Sequence, residues 1–301
     1  MDLKIKPLPP FDLDLSARLF SDGDWRIRRY EASRYWQVVR LEKRLALATV
    51  RSLGTVDEPE LSVNLEPDEG LSEADRMTAG ALVNKIFNLH LDLQPFYESV
   101  KGDRVMSQLT RALRGLRSPS TPSVFEALID SIIEQQISLY AAWSMQRRLT
   151  EAFGDTLAMG DKTYFAFPRP ERLVEATIEQ LRSCGLSQRK AEYVRGVSQL
   201  VINGLDLECL KALVDEKVIE ELSEIRGVGV WTAELTMIRG MQKFDAIPAD
   251  DLGLRRSIAH YYYDDRKISG AEARRTAEQW KGWRGLGGFY LIMGERLGIV
   301  V

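Results

Sequence analysis

The stretch Leu222-Ser-Glu-Ile-Arg-Gly227-Val-Gly229-Val-Trp-Thr-Ala233 reads as a helix, a tight glycine turn and a second helix. Val218, Ile219, Leu222 and Ile225 form an apolar face before the turn, and Trp231, Ala233, Leu235 and Ile238 form one after it. Two glycines in three residues let the backbone turn sharply and approach another object closely. The amides that open the second helix have no intrahelical acceptor, so they point outward as an anion site. Further on, Pro248-Ala-Asp250-Asp251-Leu-Gly-Leu254 places two carboxylates where another helix begins. One of them is expected to cap that helix. The other is free to face a cleft, where it can stabilise developing positive charge.

Gly-x-Gly alone is compatible with an ordinary turn. The flanking pattern Leu-x-x-Ile-x-Gly-Val-Gly-x-x-Thr-Ala favours a helix–hairpin–helix element instead, which grips a DNA phosphate irrespective of base sequence. Composition neither demands nor forbids that partner. The chain has 301 residues, 45% hydrophobic and 28% charged, with a net charge of −3. That length fits two domains, and a local basic face counts for more than the global charge. Two cysteines, Cys184 and Cys209, rule out a disulfide framework or a four-cysteine metal site. His90 and His260 are not at metal-ligand spacing, so no metal is expected beyond a monovalent cation at the hairpin carbonyls. No segment approaches the ~20 apolar residues of a membrane span, and Met1-Asp-Leu-Lys-Ile-Lys-Pro lacks a signal core. A cytoplasmic, monomeric protein is expected.

Residues 1–55 alternate like strands, most clearly from Tyr35 to Arg51, and Pro59-Glu-Leu-Ser-Val-Asn-Leu-Glu-Pro67 adds a further short strand. From Ser72 to Asn88 the period becomes helical, with Met77, Leu82, Val83, Ile86 and Phe87 on one face and Ser72-Glu-Ala-Asp75 as its cap. After Pro95 the strand pattern gives way to successive short helices. The expected fold is therefore multidomain α+β: a small antiparallel β-sheet with a covering helix over residues 1–100, then an all-α domain over 101–301.

These features together resemble the helix–hairpin–helix DNA glycosylase superfamily, and within it the 3-methyladenine DNA glycosylase II (AlkA-type) family. Phe125-Glu-Ala-Leu-Ile-Asp-Ser-Ile-Ile-Glu-Gln-Gln-Ile-Ser138 looks like the family's helix and wedge loop. Phe167-Pro-Arg-Pro-Glu-Arg-Leu173 and Leu181-Arg-Ser-Cys-Gly-Leu-Ser-Gln-Arg-Lys-Ala-Glu-Tyr193 look like its middle block. Gln279-Trp-Lys-Gly-Trp-Arg284 looks like its C-terminal Trp-x-x-Trp-Arg signature. The similarity is specific over residues 120–297 and architectural over 1–100.

The resemblance implies base excision repair of double-stranded DNA by a flipped-base mechanism. Asp251, directly before Leu-x-Leu, takes the position of the catalytic acid, with Asp250 as the cap. Gly227, Val228, Gly229 and Thr232 become the phosphate clamp, and Gln136 the wedge that fills the vacated stack, where the family often has leucine. Relatives with lyase activity carry a lysine at the position of Trp231, because a Schiff base needs an amine. Trp231 therefore implies hydrolysis without strand cleavage. Trp231, Phe289, Tyr290 and Arg284 are the expected base pocket, with Leu235 and Ile292 where better-known members place aromatic residues. Alkylated bases are the expected substrate. The alternatives are deaminated or oxidised bases on the same scaffold, a non-catalytic helix–hairpin–helix DNA-binding protein, or a purely structural helical protein.

Overall fold

The computed structural model describes residues 3–301. The N-terminal region contains β1 (Leu3–Ile5), α1 (Leu13–Ala17), β2 (Arg28–Glu31), β3 (Arg34–Arg40), β4 (Leu45–Ser52), β5 (Leu61–Glu66) and α2 (Glu73–Phe87). Its five strands pair antiparallel in the order β1-β5-β4-β3-β2. The long run from Tyr35 to Arg51 is a hairpin, with Arg40 opposite Leu45 and Leu41 N–H donating to Arg44 O at 2.9 Å. Alternation sends Tyr35, Val39, Ala46, Ala48, Val50, Leu61, Val63 and Leu65 to one face. There they bury Ala79, Val83, Ile86 and Phe87 of α2. A Ser72–Asp75 capping box starts that helix, as expected. Met77, expected on its apolar face, is 69% exposed, and Ala79 takes the buried position instead.

The remaining chain comprises α3 (Gln94–Ser99), α4 (Arg104–Ala112), α5 (Val124–Glu134), α6 (Leu139–Phe153), β6 (Thr156–Met159) and β7 (Lys162–Phe165). These are followed by α7 (Pro170–Glu175), α8 (Ile178–Ser183), α9 (Gln188–Ile202), α10 (Asp215–Ser223), α11 (Val230–Met241), α12 (Leu252–Tyr262), α13 (Gly270–Ala277) and α14 (Arg284–Arg296). The β6–β7 hairpin is a departure from the uninterrupted helical run read after Pro95. It covers the second face of the sheet, where Tyr164 and Ala166 pack on Val38 and Leu47.

Helix α5 is the centre of the helical region. Ala127, Leu128, Ile129, Ile132 and Ile133 have no exposed surface. It crosses α11 where Gly240 lacks a side chain: a Cβ there would lie 2.8 Å from that of Ala127. Two arginines join the regions. Arg117 is fully buried, and its guanidinium donates to the carbonyls of Leu8, Pro10 and Asn88. Arg28 of the sheet reaches α5, 3.3 Å from Glu126 and 3.8 Å from Asp130.

Candidate active site

The glycine turn joins α10 to α11 as the sequence implies, and its two glycines do different work. Gly227 has φ +92°, and a Cβ there would sit 2.3 Å from the ring of Tyr193 on α9. Its bareness is a packing requirement. Gly229 has extended backbone, φ −102°, and no atom lies within 4 Å of where its Cβ would be. That open space is what a phosphate would need. The amides of Gly229, Val230, Trp231 and Thr232 have no acceptor among the described residues, so they form the anion-facing rim.

Two clamp residues act differently from expectation. Val228 is buried and its amide donates to Ile225 O at 3.0 Å, so it anchors the turn. Thr232 is also buried, and its hydroxyl accepts a 2.9 Å hydrogen bond from Gln135 Nε2. Only its amide remains for a phosphate.

Gln135 is the residue the sequence reading overlooked. Besides Thr232, its amide donates to Gly227 O at 2.8 Å, tying the loop between α5 and α6 to the glycine turn. From the other side Lys190 of α9 donates to Ile133 O and Gln135 O, both at 2.7 Å. A lysine in the first turn of a helix opposes the helix dipole, and that was the available signal for a long-range role. Burial pushes its pKa down. Between these anchors Gln136 is exposed and held at φ +56°, a conformation that non-glycine residues rarely adopt. Ser138 then caps α6. The expected wedge thus stands out from a loop that is fixed on both sides.

The cap falls to Asp251 and not, as expected, to Asp250. Asp251 is the N-cap of α12: its Oδ1 accepts from Leu254 N–H at 2.9 Å. Asp250 is exposed and lies over α13, where Gly270 leaves room for its carboxylate. Capping does not use up Asp251. It occupies one oxygen and orients the carboxylate, leaving Oδ2 without a partner among the described residues.

Behind this carboxylate lies a charge network. Arg239 of α11 donates to Glu134 Oε2 at 2.7 Å, at the end of α5. Burial would lower the Arg239 pKa, but Glu134, Asp130 and Asp251 outweigh it and hold the group charged. Asp130 is pushed up to about 8 by burial, against the pull of Arg28. Nearby, Glu234 pairs with Arg274 at 2.9 Å, and burial raises its pKa.

The C-terminal signature is structural. Trp280 is fully buried and donates to Asp103 Oδ2 at 3.0 Å, and Trp283 packs on Phe96 with centroids 6.0 Å apart. Arg284, expected in the base pocket, is instead committed to Asp245 (2.8 and 2.6 Å) and Glu278 (2.7 Å). Tyr290, also expected there, is fully buried against Phe96, and its hydroxyl donates to Leu116 O at 2.8 Å. Neither is free to line a pocket. Trp231 is half-buried and stands outside the hydrophobic core, so it has a face to offer. Phe289 is half-buried beside Gly288, whose missing side chain admits Leu254 of α12.

Residues 129–282 match the HhH-GPD superfamily of base excision DNA repair proteins. A DNA-3-methyladenine glycosylase of Bacillus subtilis (strain 168) is 32% identical over 256 residues, spanning 83% of this chain and 84% of that protein. DNA-3-methyladenine glycosylase 2 of Escherichia coli (strain K12) is 28% identical over 193 residues, 64% of each chain. The 3-methyladenine DNA glycosylase from Archaeoglobus fulgidus superposes with a TM-score of 0.86 at 25% identity, covering 99% of this chain and 100% of that one. The hairpin, the capped aspartate and these similarities agree, and the chain belongs to the HhH-GPD superfamily of base excision DNA repair proteins, within its AlkA-like glycosylase family.

Proposed function

We propose that this chain is a monofunctional DNA glycosylase that hydrolyses the N-glycosidic bond of alkylated bases in duplex DNA. The observation that carries the reading is the Asp251 carboxylate. A cap fixes one oxygen and leaves the other free, while Arg239 links the same acid electrostatically to the end of the wedge-bearing helix. In the reaction, the C1′–N bond breaks and its electron pair leaves with the base. The sugar becomes oxocarbenium-like, and water adds at C1′ with loss of a proton, giving free base and an abasic site. Asp251 stabilises the sugar cation and orients the water. An alkylated purine already carries positive charge, so it leaves as a neutral base, and the open face of Trp231 suits a cationic ring.

Trp231 also supports hydrolysis alone, because it supplies no amine for a Schiff base. The glycine-turn amides would hold a DNA phosphate and Gln136 would fill the vacated stack. A monovalent cation belongs to the same proposal. The carbonyls of Ile225 and Gly227 each accept one hydrogen bond and keep a second lone pair. The protein is proposed to work as a monomer on cytoplasmic DNA; no helix among the described residues is long and apolar enough to cross a membrane.

The test is base release from duplexes carrying single lesions, with and without alkali. Release of 3-methyladenine or 7-methylguanine, with strand breaks only after alkali, is the expected result. Breaks without alkali would overturn the monofunctional assignment. Preferential release of hypoxanthine, uracil or 8-oxoguanine would move the substrate class, a shift that Leu235 and Ile292 would explain.

A further inference from the structure

Tyr140 is 75% exposed, the most exposed aromatic residue among those described. It lies in the first turn of α6, just after the wedge loop, beside Leu139, which is 45% exposed. Trp143, one turn on, supports it edge-to-face with ring centroids 5.5 Å apart and planes at 78°. Adjacent exposed apolar side chains, where they form a contiguous patch, mark a surface that a partner covers. In sequence the proposed wedge, Gln136, falls between Tyr140 and Gln135, whose side chain is bonded to the phosphate-binding turn. We propose that Tyr140, backed by Trp143, is a stacking platform for the strand opposite the damaged nucleotide. The proposal rests on the base-flipping reading above.

The physical case has three parts. Flipping a nucleotide leaves its partner base without a stacking neighbour, and an exposed aromatic face replaces one without regard to base identity. The surface is continuous with the loop through which DNA would be engaged. The Tyr140 hydroxyl forms no hydrogen bond among the described residues, and its ring rests on Trp143 with most of its surface open. The enzyme would then hold the opposite strand equally well across different partner bases.

The experiment uses a duplex with a tetrahydrofuran abasic analogue opposite 2-aminopurine, titrated with wild type, Tyr140→Ala and Tyr140→Phe. Wild type and Tyr140→Phe should quench the 2-aminopurine equally. Tyr140→Ala should lose the quench and bind the duplex about 5- to 100-fold more weakly. Its affinity for a single-stranded oligonucleotide bearing the same analogue should stay within about twofold, the range expected of an uninvolved surface change. Undiminished quenching and duplex affinity in Tyr140→Ala would overturn the proposal. So would a change in sedimentation of Tyr140→Ala with DNA binding intact, which would make the patch a contact between copies of the chain. Base release by wild type from alkylated duplex is measured in parallel. Its failure with the quench intact would sink the glycosylase reading and leave the platform standing.

Discussion

Gly227 and Gly229 are two residues apart and should respond oppositely to the same change. Gly227→Ala forces a side chain into φ +92° and into the Tyr193 ring. It should destabilise the chain by more than about 1 kcal/mol in urea unfolding. Gly229→Ala meets no atom and keeps an ordinary backbone. Its stability should hold within about 0.5 kcal/mol, while affinity for undamaged duplex falls because the methyl occupies the phosphate's approach. Equal DNA affinity for Gly229→Ala, measured by fluorescence anisotropy, would remove this turn from the interface. Asp251 shows the same economy: cap and reactive group are one side chain, because a carboxylate has two oxygens and a cap needs one.

The loop from Gln135 to Ser138 acts as a unit because its backbone and side chains are bonded to two other helices. Gln135→Leu keeps the bulk but breaks the bonds to Gly227 and Thr232. With about 0.5–1.5 kcal/mol per hydrogen bond, it should weaken binding to an abasic duplex several-fold and leave undamaged-duplex binding nearly unchanged. An equal loss on both duplexes would show that the loop merely supports the clamp. These long-range bonds are what sequence could not show. Local rules did well where they were applied: Ser72 caps the helix that follows it in a capping box with Asp75. The glycine turn was legible from pattern and punctuation, and the loop after α5 from the resemblance of residues 125–138 to a helix and wedge loop. The β6–β7 hairpin was not, because its strands are too short to alternate visibly. Its only signal was Gly160-Asp161, a two-residue turn dipeptide, with Gly160 at φ +60°. Arg284 and Tyr290 were misplaced because a motif marks a position in a family without saying which way a side chain faces.

The sheet and helical regions are held together through buried charge, and that has a pH signature. Asp130 is pushed up to about 8 in the folded chain, chiefly by burial, from an ordinary 3.8. Folding therefore takes up a proton across that window, and the unfolded chain is the form that releases it. The contribution to stability falls as pH rises from about 4 to about 8. Asp130→Asn should flatten the decline of Tm with pH while Arg28 keeps its contact with Glu126. An unchanged slope would mean that Asp130 is ionised in the fold. The net charge of −3 carries a second expectation. Since the clamp uses backbone amides, few counterions are released, and log K against log salt should be shallow, with a slope magnitude of about 2–4. A slope near that of a strongly basic DNA-binding domain would point to an interface the hairpin does not explain.

Asp251→Asn tests the central claim most directly, because asparagine caps a helix about as well as aspartate and removes only the charge. Single-turnover release of an alkylated base from duplex DNA is measured for both proteins, alongside affinity for an abasic duplex. The expected result is a fall in rate of about 10²–10³-fold, with thermal stability unchanged and DNA affinity retained. A mutant that releases the base at the wild-type rate would contradict the assignment of the chemistry to Asp251.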